Sequence, residues 1–403
     1  MCNKKVYIVA AKRTAIGKMF GSLSSFTPGE LGAFVIKNIL AETGVASHLI
    51  DEVIGGNVLN AGQGQGVIRQ AAIKGGVPAE VPAYGINMVC GSGLKSVMTG
   101  YNDILLGDAD LVLAGGTEVM SNAGFIFNGN LRQGVKMGNI TAVDHMVNDG
   151  LTDVFHQYHM GITAENVAEK YGITREAQDN FAYNSQQKAL AAIEQGVFAN
   201  EIVPVEIVNK KETITFNIDE YPNKASTPEK LAALRPAFKK DGTVTAGNAS
   251  GINDGASFVL LASEEKVKEL GLKPLAEIIA TGQGGVDPAI MGLGPVPAIR
   301  MALKKAEMKL SEIELLELNE AFAAQSLGVM NELIEEHGVS EAWLSERTNI
   351  FGGAIALGHP IGASGNRILV TLIHALIHQN KTCGLASLCI GGGMGTAMIV
   401  KIV

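Results

Sequence analysis

The stretch Asn87-Met-Val-Cys90-Gly-Ser-Gly93 joins an apolar, strand-like segment, Tyr84 to Val89, to a segment of helical character. Apolar residues recur after this turn with a period of about 3.6 residues, which is typical of a helix that buries one face. They are Leu94, Val97, Met98, Tyr101, Ile104 and Leu105. A strand that passes through a glycine-rich turn into a helix is the building unit of α/β folds. The stretch therefore predicts an α/β fold with Cys90 at the start of a helix.

The second half of the chain repeats this plan. Gly358-His359-Pro-Ile-Gly-Ala-Ser-Gly365 opens another periodic segment, and a buried-type strand ending in glycines closes each half, at Leu111 to Gly116 and at Leu385 to Gly393. Short apolar runs of this kind suit strands that are buried on both faces. Two similar halves would bring the Cys90 and His359 helix starts together across a pseudo-twofold axis.

The segment between the halves is more polar and predicts an inserted loop or lid domain. Helices are expected within it at Thr163 to Tyr171 and at Thr174 to Ile193, with Thr174 as a cap. We therefore divide the chain into a first half (1–120 and 248–271), an insertion (121–247) and a second half (272–403). Residues Gly338 to Thr348 lengthen the second half and are expected to form a surface excursion.

Composition excludes several classes of function. The chain has 403 residues, 47% of them hydrophobic and 18% charged, with a formal net charge of −8 and no basic cluster. Nucleic-acid binding is therefore not expected. No apolar run approaches the roughly 18 residues of a membrane span, and no secretion signal is evident. Four cysteines (Cys2, Cys90, Cys383 and Cys389) do not make a disulfide framework, so we expect a cytoplasmic protein with free thiols.

Cys90 and His359 are the residues expected to carry chemistry. A thiol at a helix N-terminus is favoured as thiolate, so we expect the pKa of Cys90 to be lowered. His359 lies in an open turn between Gly358 and Pro360, where an imidazole can act as a general base. A nucleophilic thiol with a base indicates acyl-thioester chemistry.

Three further groups stand in similar turns. Cys389 precedes Gly391, Gly392 and Gly393, so a second thiol could move a proton while backbone N–H groups hold an oxyanion. Asn319 ends a strand-like run, where its amide could hold a water or a carbonyl oxygen. Ser250, between Gly247 and Gly251, is interpreted as a ligand contact.

Metal and nucleotide cofactor motifs are not found. His374 and His378 have helical spacing but no third ligand nearby, and the sequence contains neither a phosphate-binding loop nor a C-x-x-C pair. We therefore expect no metal and no bound cofactor.

Taken together, four blocks resemble the signature motifs of the thiolase family. They are Asn87 to Gly93, Asn319-Glu-Ala-Phe-Ala323, Gly352 to Gly365, and Cys389-Ile-Gly-Gly-Gly393, and the similarity continues between them, for example at Val6 to Gly17 and Leu113 to Met120. The resemblance implies the thiolase fold: two similar βαβαβαββ halves in an α/β/α/β/α core, with a loop domain inserted in the first half.

The resemblance also implies an acyltransferase and a set of roles. Cys90 would take an acetyl group from acetyl-CoA while His359 accepts its proton, and Cys389 would then remove an α-proton from a second acetyl-CoA. The products would be acetoacetyl-CoA and CoA, with thiolysis as the reverse, so that CoA is a substrate and not a cofactor. Asn319, through a water, and the N–H of Gly391 would stabilise the oxyanions.

Substrate-binding residues follow from the same resemblance, which is strongest to the short-chain, biosynthetic branch. His159, Met160 and Leu151 would limit the acyl pocket, which is completed by Phe238, Met291, Ala321 and Phe322, while Ser250 would contact pantetheine. The insertion departs from the family pattern at Tyr221 to Pro228, where Lys224 or Lys230 could supply charge for the CoA phosphates.

Three questions stay open from the sequence. A degradative 3-ketoacyl-CoA thiolase of broader chain length has the same catalytic residues, whereas a ketoacyl carrier-protein synthase would need two histidines. A homo-oligomer, tetramer or dimer, is expected, with apolar segments such as Phe125-Ile-Phe127 as candidate contacts. Cys90 and Cys389 could also form a disulfide that silences the enzyme.

Overall fold

The computed structural model describes residues 4–127, 129–208 and 212–403; Cys2 lies outside them. The first part of the chain alternates strands and helices as the sequence predicts. Its elements are β1 (Val6–Thr14), β2 (Gly17–Lys18), α1 (Pro28–Thr43), β3 (Glu52–Gly56), α2 (Val67–Lys74), β4 (Ala83–Ile86), α3 (Ser92–Leu106) and β5 (Leu111–Val119).

The middle of the chain consists of short hairpins and two longer helices. Thr174 caps the second of these helices by accepting from the N–H of Ala177, and Gly172 ends the first in the left-handed region (φ 62°). The elements are β6 (Phe125–Phe127), β7 (Ala142–Asp144), β8 (Thr152–Asp153), β9 (Tyr158–His159), α4 (Met160–Tyr171), α5 (Arg175–Glu194), β10 (Ile202–Val203), β11 (Val205–Val208), β12 (Thr213–Phe216) and α6 (Pro228–Ala232).

The remainder returns to alternating strands and helices. Its elements are β13 (Asn253–Ser263), α7 (Glu264–Leu270), β14 (Ala276–Gly285), α8 (Pro295–Ala306), β15 (Leu315–Leu318), α9 (Ala323–His337), α10 (Glu341–Ser345), α11 (Ala354–Leu357), α12 (Ile361–His378), β16 (Cys383–Ile390) and β17 (Met394–Ile402).

The main strands form one continuous mixed sheet in the order β4-β3-β5-β13-β1-β14-β17-β16-β15. The two halves meet where β1 pairs with β14 in antiparallel fashion, at Tyr7 with Glu277 and Ile8 with Ala276. From that junction outward, both halves have the same strand order. A parallel bridge between Leu316 and Thr348 takes the place of β4 in the second half.

That bridge corrects one prediction. Residues 338–348 are not only a surface excursion, because Leu344 and Thr348 are buried and the segment contains α10. Thr348 extends the sheet beyond β15, so the segment is part of the repeated unit.

The two halves of the sheet lie on opposite sides of a central layer of helices, and outer helices cover each half, so there are five layers and the predicted fold class is confirmed. Along β1, Val6 and Ile8 face a central apolar cluster, whereas Tyr7 and Val9 face an outer one. Helices α3 and α12 lie in the central layer and pack on each other and on strands of both halves. Helix α12 is accordingly buried on nearly all sides, with 15 buried residues among its 18. Outer helices α1 and α2 cover one half, and α8 and α9 cover the other.

A buried ion cluster fastens the insertion to the first half. Arg13 on β1 donates from Nε to Glu201 at 2.5 Å and from Nη1 and Nη2 to Asp219 at 2.7 and 2.9 Å. All three side chains are almost fully buried. The insertion is therefore held by charge-assisted hydrogen bonds at the sheet rather than by apolar contact alone.

We expect Arg13→Leu to lower the free energy of unfolding by about 3–5 kcal/mol, because it leaves two buried carboxylates without their cation. Denaturant unfolding at neutral pH measures this. Lys74→Met is the matched control: Lys74 pairs with Glu30 where both side chains are well exposed, so its loss should cost less than about 1 kcal/mol. Equal losses in the two variants would contradict a structural role for the Arg13 cluster.

Within residues 4–127, 129–208 and 212–403, no helix combines the length and the apolar character that crossing a bilayer requires.

Candidate active site

The turn before α3 is a tight elbow held by its own side chains. Val89 adopts a positive φ of 46°, which is uncommon for a β-branched residue. Asn87 Oδ1 accepts from the Val89 N–H at 3.0 Å, while Ser92 Oγ accepts from the Met88 N–H and donates to the Val89 carbonyl. These bonds hold Cys90 immediately before the helix.

Two backbone N–H groups contact the sulfur of Cys90, a residue that is partly exposed as a whole. Burial raises the pKa of Cys90 to about 11, although hydrogen bonds from the N–H groups of Gly391 and of Cys90 itself act in the opposite direction. The prediction of a lowered pKa is therefore wrong for the free protein, because desolvation outweighs the helix start. Cys90 is a thiol at neutral pH and needs a base.

His359 has the protonation state that a general base requires. Its Nδ1 lies 2.6 Å from Ser364 Oγ, which donates its only proton to the Pro360 carbonyl at 2.8 Å. The proton of the imidazole must then be on Nδ1, which leaves a lone pair on Nε2. Nε2 is buried and has no partner among the described residues. Burial, with the charge of Arg367, lowers the pKa of His359 to about 3, so the ring is neutral at pH 7.

Glycines allow the two helix starts to touch. A Cβ on Gly93 would lie 2.9 Å from the amide nitrogen of Asn366, and one on Gly365 would lie 2.5 Å from that of Leu94. Helices α3 and α12 thus cross backbone to backbone near their N-termini. This close approach explains why both motifs contain glycine after the reactive residue.

Cys389 lies at the end of β16 and is almost fully buried. Burial, together with the neighbouring Cys90 thiol, raises the pKa of Cys389 well above its ordinary value. The following Gly391 packs against the Cys90 elbow, since a Cβ there would lie 3.5 Å from Val89 Cγ1. Cys90, Cys383 and Cys389 are free thiols, and the Cys90–Cys389 disulfide stays a prediction.

Asn319 presents its amide group in a fixed orientation. Its Oδ1 accepts from Arg367 Nη2 at 3.4 Å, and its buried Nδ2 has no hydrogen-bond partner among the described residues. An amide N–H₂ of this kind is a donor available to a water or a substrate oxygen.

Side chains predicted for the acyl pocket lie together beside these groups. His159 caps α4 by accepting from the Gly161 N–H at 3.0 Å, and its ring stacks on Phe238 with centroids 4.6 Å apart. Phe238 packs edge-on against Phe322. One apolar cluster contains Cys389 and its neighbours Met160, Met291, Ala321 and Phe322, with Phe238 at its margin. Leu151 packs with Cys90 in a second cluster.

Ser250 joins the insertion boundary to this pocket, because its N–H donates to the Ala321 carbonyl at 3.0 Å. A nearby cleft of about 600 Å³ is lined by Tyr221, Asn223, Lys230, Leu231, Leu234 and Gly247. Of the two lysines considered from sequence, Lys230 lines this cleft.

Three residues of the site were missed from sequence. Ser364 sets the His359 tautomer, and Asn253 accepts from the His359 backbone N–H at 3.0 Å. Arg367 orients Asn319. Ser364 stands inside the motif Gly358 to Gly365, Asn253 comes two residues after Gly251, and Arg367 is a single charge in an apolar helix. Only tertiary contacts reveal what each of them touches.

The depressed pKa of His359 predicts a pH effect. An unfolded histidine binds a proton below about 6.5, whereas the folded one resists protonation until about 3. Unfolding therefore takes up a proton between these values, and the folded state loses stability as the pH falls below 6.5.

We expect the wild type to lose up to about 1.4 kcal/mol per pH unit more than His359→Gln between pH 6 and pH 5. Denaturant unfolding curves of the two proteins at each pH measure this difference in the free energy of unfolding. His159 is present in both proteins, so its contribution to the pH dependence drops out of the comparison. Identical pH slopes would mean that His359 is not buried as a neutral ring.

Comparison with known proteins places the chain in a family. The thiolase N-terminal domain model matches residues 6–265, and the thiolase C-terminal domain model matches residues 272–402. The acetyl-CoA acetyltransferase of Pseudomonas aeruginosa is 55% identical over 394 residues, or 98% of each chain. That of Cupriavidus necator is 54% identical over 98% of this chain and 99% of its own.

Solved structures agree with these relatives. The crystal structure of the Bacillus anthracis acetyl-CoA acetyltransferase matches with a TM-score of 0.94 at 43% identity, over 99% of each chain. Human mitochondrial 3-ketoacyl-CoA thiolase matches with a TM-score of 0.94 at 44% identity, also over 99% of each chain. With the domain models covering nearly its whole length and relatives above half identity, this chain belongs to the thiolase family.

Proposed function

We propose that this chain is an acetyl-CoA acetyltransferase, which condenses two acetyl-CoA into acetoacetyl-CoA and CoA and runs in reverse as a thiolase. The observation that carries the proposal is the pair of thiols at Cys90 and Cys389, with the Gly391 N–H on the Cys90 sulfur. One thiol can hold the acetyl group while the other exchanges a proton with carbon.

In the first half-reaction, Cys90 Sγ bonds to the acetyl carbon as the bond from that carbon to the CoA sulfur breaks. The Cys90 proton passes to the free Nε2 of His359, and the departing CoA sulfur takes the proton of Cys389. An imidazolium and a thiolate are then left side by side. The buried site disfavours either charge alone, so each is stabilised by the other.

In the second half-reaction, the Cys389 thiolate removes an α-proton from a second acetyl-CoA. A thiolate whose pKa is raised by burial is a strong base, as abstraction from carbon requires. The enolate carbon attacks the acetyl group, Cys90 leaves, and His359 returns its proton to Cys90. This is a Claisen condensation, and every proton is accounted for at the end of the cycle.

Two sets of donors stabilise the oxyanions in this scheme. The N–H groups of Cys90 and Gly391 already point at the Cys90 sulfur and would hold the oxygen of the tetrahedral intermediate. The enolate oxygen would lie between His359 Nε2 and a water on Asn319 Nδ2, two buried groups without protein partners among the described residues. One such donor typically contributes about 3 kcal/mol.

The pocket walls support a short acyl substrate. His159 stacks on Phe238, Phe238 packs edge-on against Phe322, and Met160 packs beside Gly391, so bulky side chains would stand where a longer chain would extend. Pantetheine would pass Ser250, and the CoA nucleotide would lie at the cleft that contains Lys230. CoA serves as substrate and product, and no cofactor is proposed.

A 3-ketoacyl-CoA thiolase of broader chain length is the second candidate, since the human mitochondrial enzyme of that name matches the fold equally well. Thiolysis rates separate the two. The proposal expects kcat/KM for acetoacetyl-CoA to exceed that for 3-ketododecanoyl-CoA by at least about tenfold, the effect of a few mismatched methylenes. A preference for the longer substrate would reject the short-chain function while leaving the thiolase chemistry intact.

We further propose a cytoplasmic homo-oligomer, a tetramer or a dimer. A reducing compartment would keep the catalytic thiols free. Exposed apolar side chains on the insertion, among them Phe125, Phe127 and Phe155, and the half-exposed edge strand β4 support self-association. Light scattering coupled to size-exclusion chromatography measures the assembly, and a monomer at micromolar concentration would reject it.

A further inference from the structure

The two halves place different residues at equivalent strand ends. In the first half, Gly56 of β3 pairs with Gly116 of β5; in the second, Leu318 of β15 pairs with Ser387 of β16. Asn57 and Asn319 each follow the paired residue on the first strand. Counting two residues along the second strand then makes Glu118 the counterpart of Cys389.

Both counterparts face the helix start that comes from the other half. Cys389 lies beside Cys90 at the start of α3. Glu118 Oε2 accepts from the N–H of Gly362 near the start of α12 at 3.0 Å. The repeat therefore produces two similar junctions between a strand end and a helix start. One junction contains the thiols of Cys389 and Cys90, and the other contains the carboxylate of Glu118.

The carboxylate of Glu118 is fully buried and binds four N–H groups. Oε1 accepts from Asn57 Nδ2 at 2.8 Å and from the Leu59 N–H at 3.1 Å, and Oε2 accepts from the N–H groups of Val58 at 2.9 Å and Gly362 at 3.0 Å. Glu118 thereby ties the loop after β3 in the first half to α12 in the second. An anion at a helix N-terminus is a favourable arrangement.

The two segments that Glu118 joins, the loop after β3 and the start of α12, both lie next to the candidate reactive groups. Gly362 is three residues after His359. Val58 and Leu59 form an apolar cluster with Met120, Met146 and Ile361, against which Cys90 and Leu151 pack. The helix start has little room to move, since a Cβ on Gly116 would lie 2.1 Å from the Gly362 carbonyl oxygen and one on Gly362 would lie 2.5 Å from Glu118 Oε2.

From this juxtaposition we propose that Glu118 is a positioning residue for the reaction, which fixes the His359 helix start and the Cys90 pocket wall relative to each other across the interface between the halves. It acts through residues 57–59 and 362 and does not touch substrate. Burial raises the pKa of Glu118 to about 7, so the group is ionised at the alkaline pH at which Cys90 titrates, and its negative charge then adds to burial in raising the pKa of Cys90. The inference rests on the proposed function for its kinetic readout.

Glu118→Gln tests the proposal. Each carboxylate oxygen accepts two N–H groups, so an amide can serve only one pair and turns its N–H₂ towards the other. We expect kcat for acetoacetyl-CoA thiolysis to fall by about 100-fold, as small misplacements of catalytic groups do, with KM changed by less than about threefold. Glu118→Asp keeps the charge, shortens the reach and should lose kcat as well.

The pH dependence of Cys90 alkylation by iodoacetamide is a second readout. Loss of the negative charge in Glu118→Gln should move its midpoint to lower pH, while Glu118→Asp should leave the midpoint in place. Glu165→Gln is the control, because Glu165 is also a buried carboxylate that accepts from backbone N–H groups, those of Thr243 and Val244, but lies in the insertion.

The outcomes separate cleanly. If Glu118→Gln lost stability like Glu165→Gln but kept kcat within threefold and the alkylation midpoint of the wild type, Glu118 would be structural only and the inference wrong. If Glu118→Gln did not fold, Glu118→Asp would decide in the same way through kcat. If the wild type itself did not cleave acetoacetyl-CoA, the proposed function would fail, and the alkylation midpoints would still test the contact between Glu118 and the Cys90 pocket.

Discussion

Cys90→Ala should abolish acetyl transfer, with a loss of roughly 10⁴-fold or more, as removal of a covalent nucleophile produces. Cys90 is the thiol at the helix start, held by an elbow with a positive φ at Val89 and surrounded by the N–H groups of Cys90 and Gly391. Alanine keeps the elbow and the donors but leaves nothing to carry the acyl group. Stability should change little, because alanine removes a single sulfur atom from a residue that is partly exposed.

The measurement is the mass of the intact protein after incubation with acetyl-CoA, alongside the rate of acetoacetyl-CoA thiolysis. Wild type should gain one acetyl group, on the peptide that contains Cys90, and Cys90→Ala should gain none. Cys383→Ala is a matched control, since Cys383 is a buried free thiol on the same strand as Cys389, and it should label normally. Acetylation of Cys90→Ala to the wild-type extent would refute the covalent mechanism.

Cys389→Ala should separate the two half-reactions. Acetylation of Cys90 should persist, because His359 can pass the proton that it accepts from Cys90 to the departing CoA. Condensation should fall by about 10³-fold, within the range for loss of a general base. The physical reason is location: Cys389 lies beside Cys90 at the end of β16, where its base strength is raised by burial.

Exchange of the acetyl-CoA α-protons with deuterated water reports on Cys389 directly. Wild type should exchange them in the presence of the acetylated enzyme, and Cys389→Ala should not, while both acquire the acetyl group. Cys383→Ala should behave as wild type in both assays. Undiminished exchange in Cys389→Ala would assign the carbon-bound proton to another base.

Local patterns were sufficient for the fold class and for nominating the candidate reactive groups. Helical periodicity after Cys90 and after His359, and buried strands ending in glycine, depend only on neighbours in sequence, and helices α3 and α12 with strands β5 and β16 follow them closely. The thiolase resemblance extended this to the five-layered core. Thr174 and Gly172 fixed the helix ends in the insertion, because caps act within one turn.

Protonation and orientation could not be obtained in this way. The sequence placed Cys90 at a helix start and so predicted a lowered pKa, but the extent of desolvation depends on what packs around the thiol, and it raises the pKa to about 11. His359 has a free Nε2 because Ser364 donates its proton to the Pro360 carbonyl, which leaves the imidazole proton on Nδ1. The ring is neutral because burial lowers its pKa. Arg367, from the middle of α12, turns the Asn319 amide.

By itself, then, the sequence determined which residues could react, because glycine turns, helix starts and strand ends are local and leave their mark in composition and spacing. Tertiary structure alone decided how those residues are charged and which atoms face one another. It also decided that the repeat yields a second junction between a strand end and a helix start, at Glu118. Such properties arise from contacts between halves that are distant along the chain, where burial and hydrogen-bond geometry, and not periodicity, set the energies.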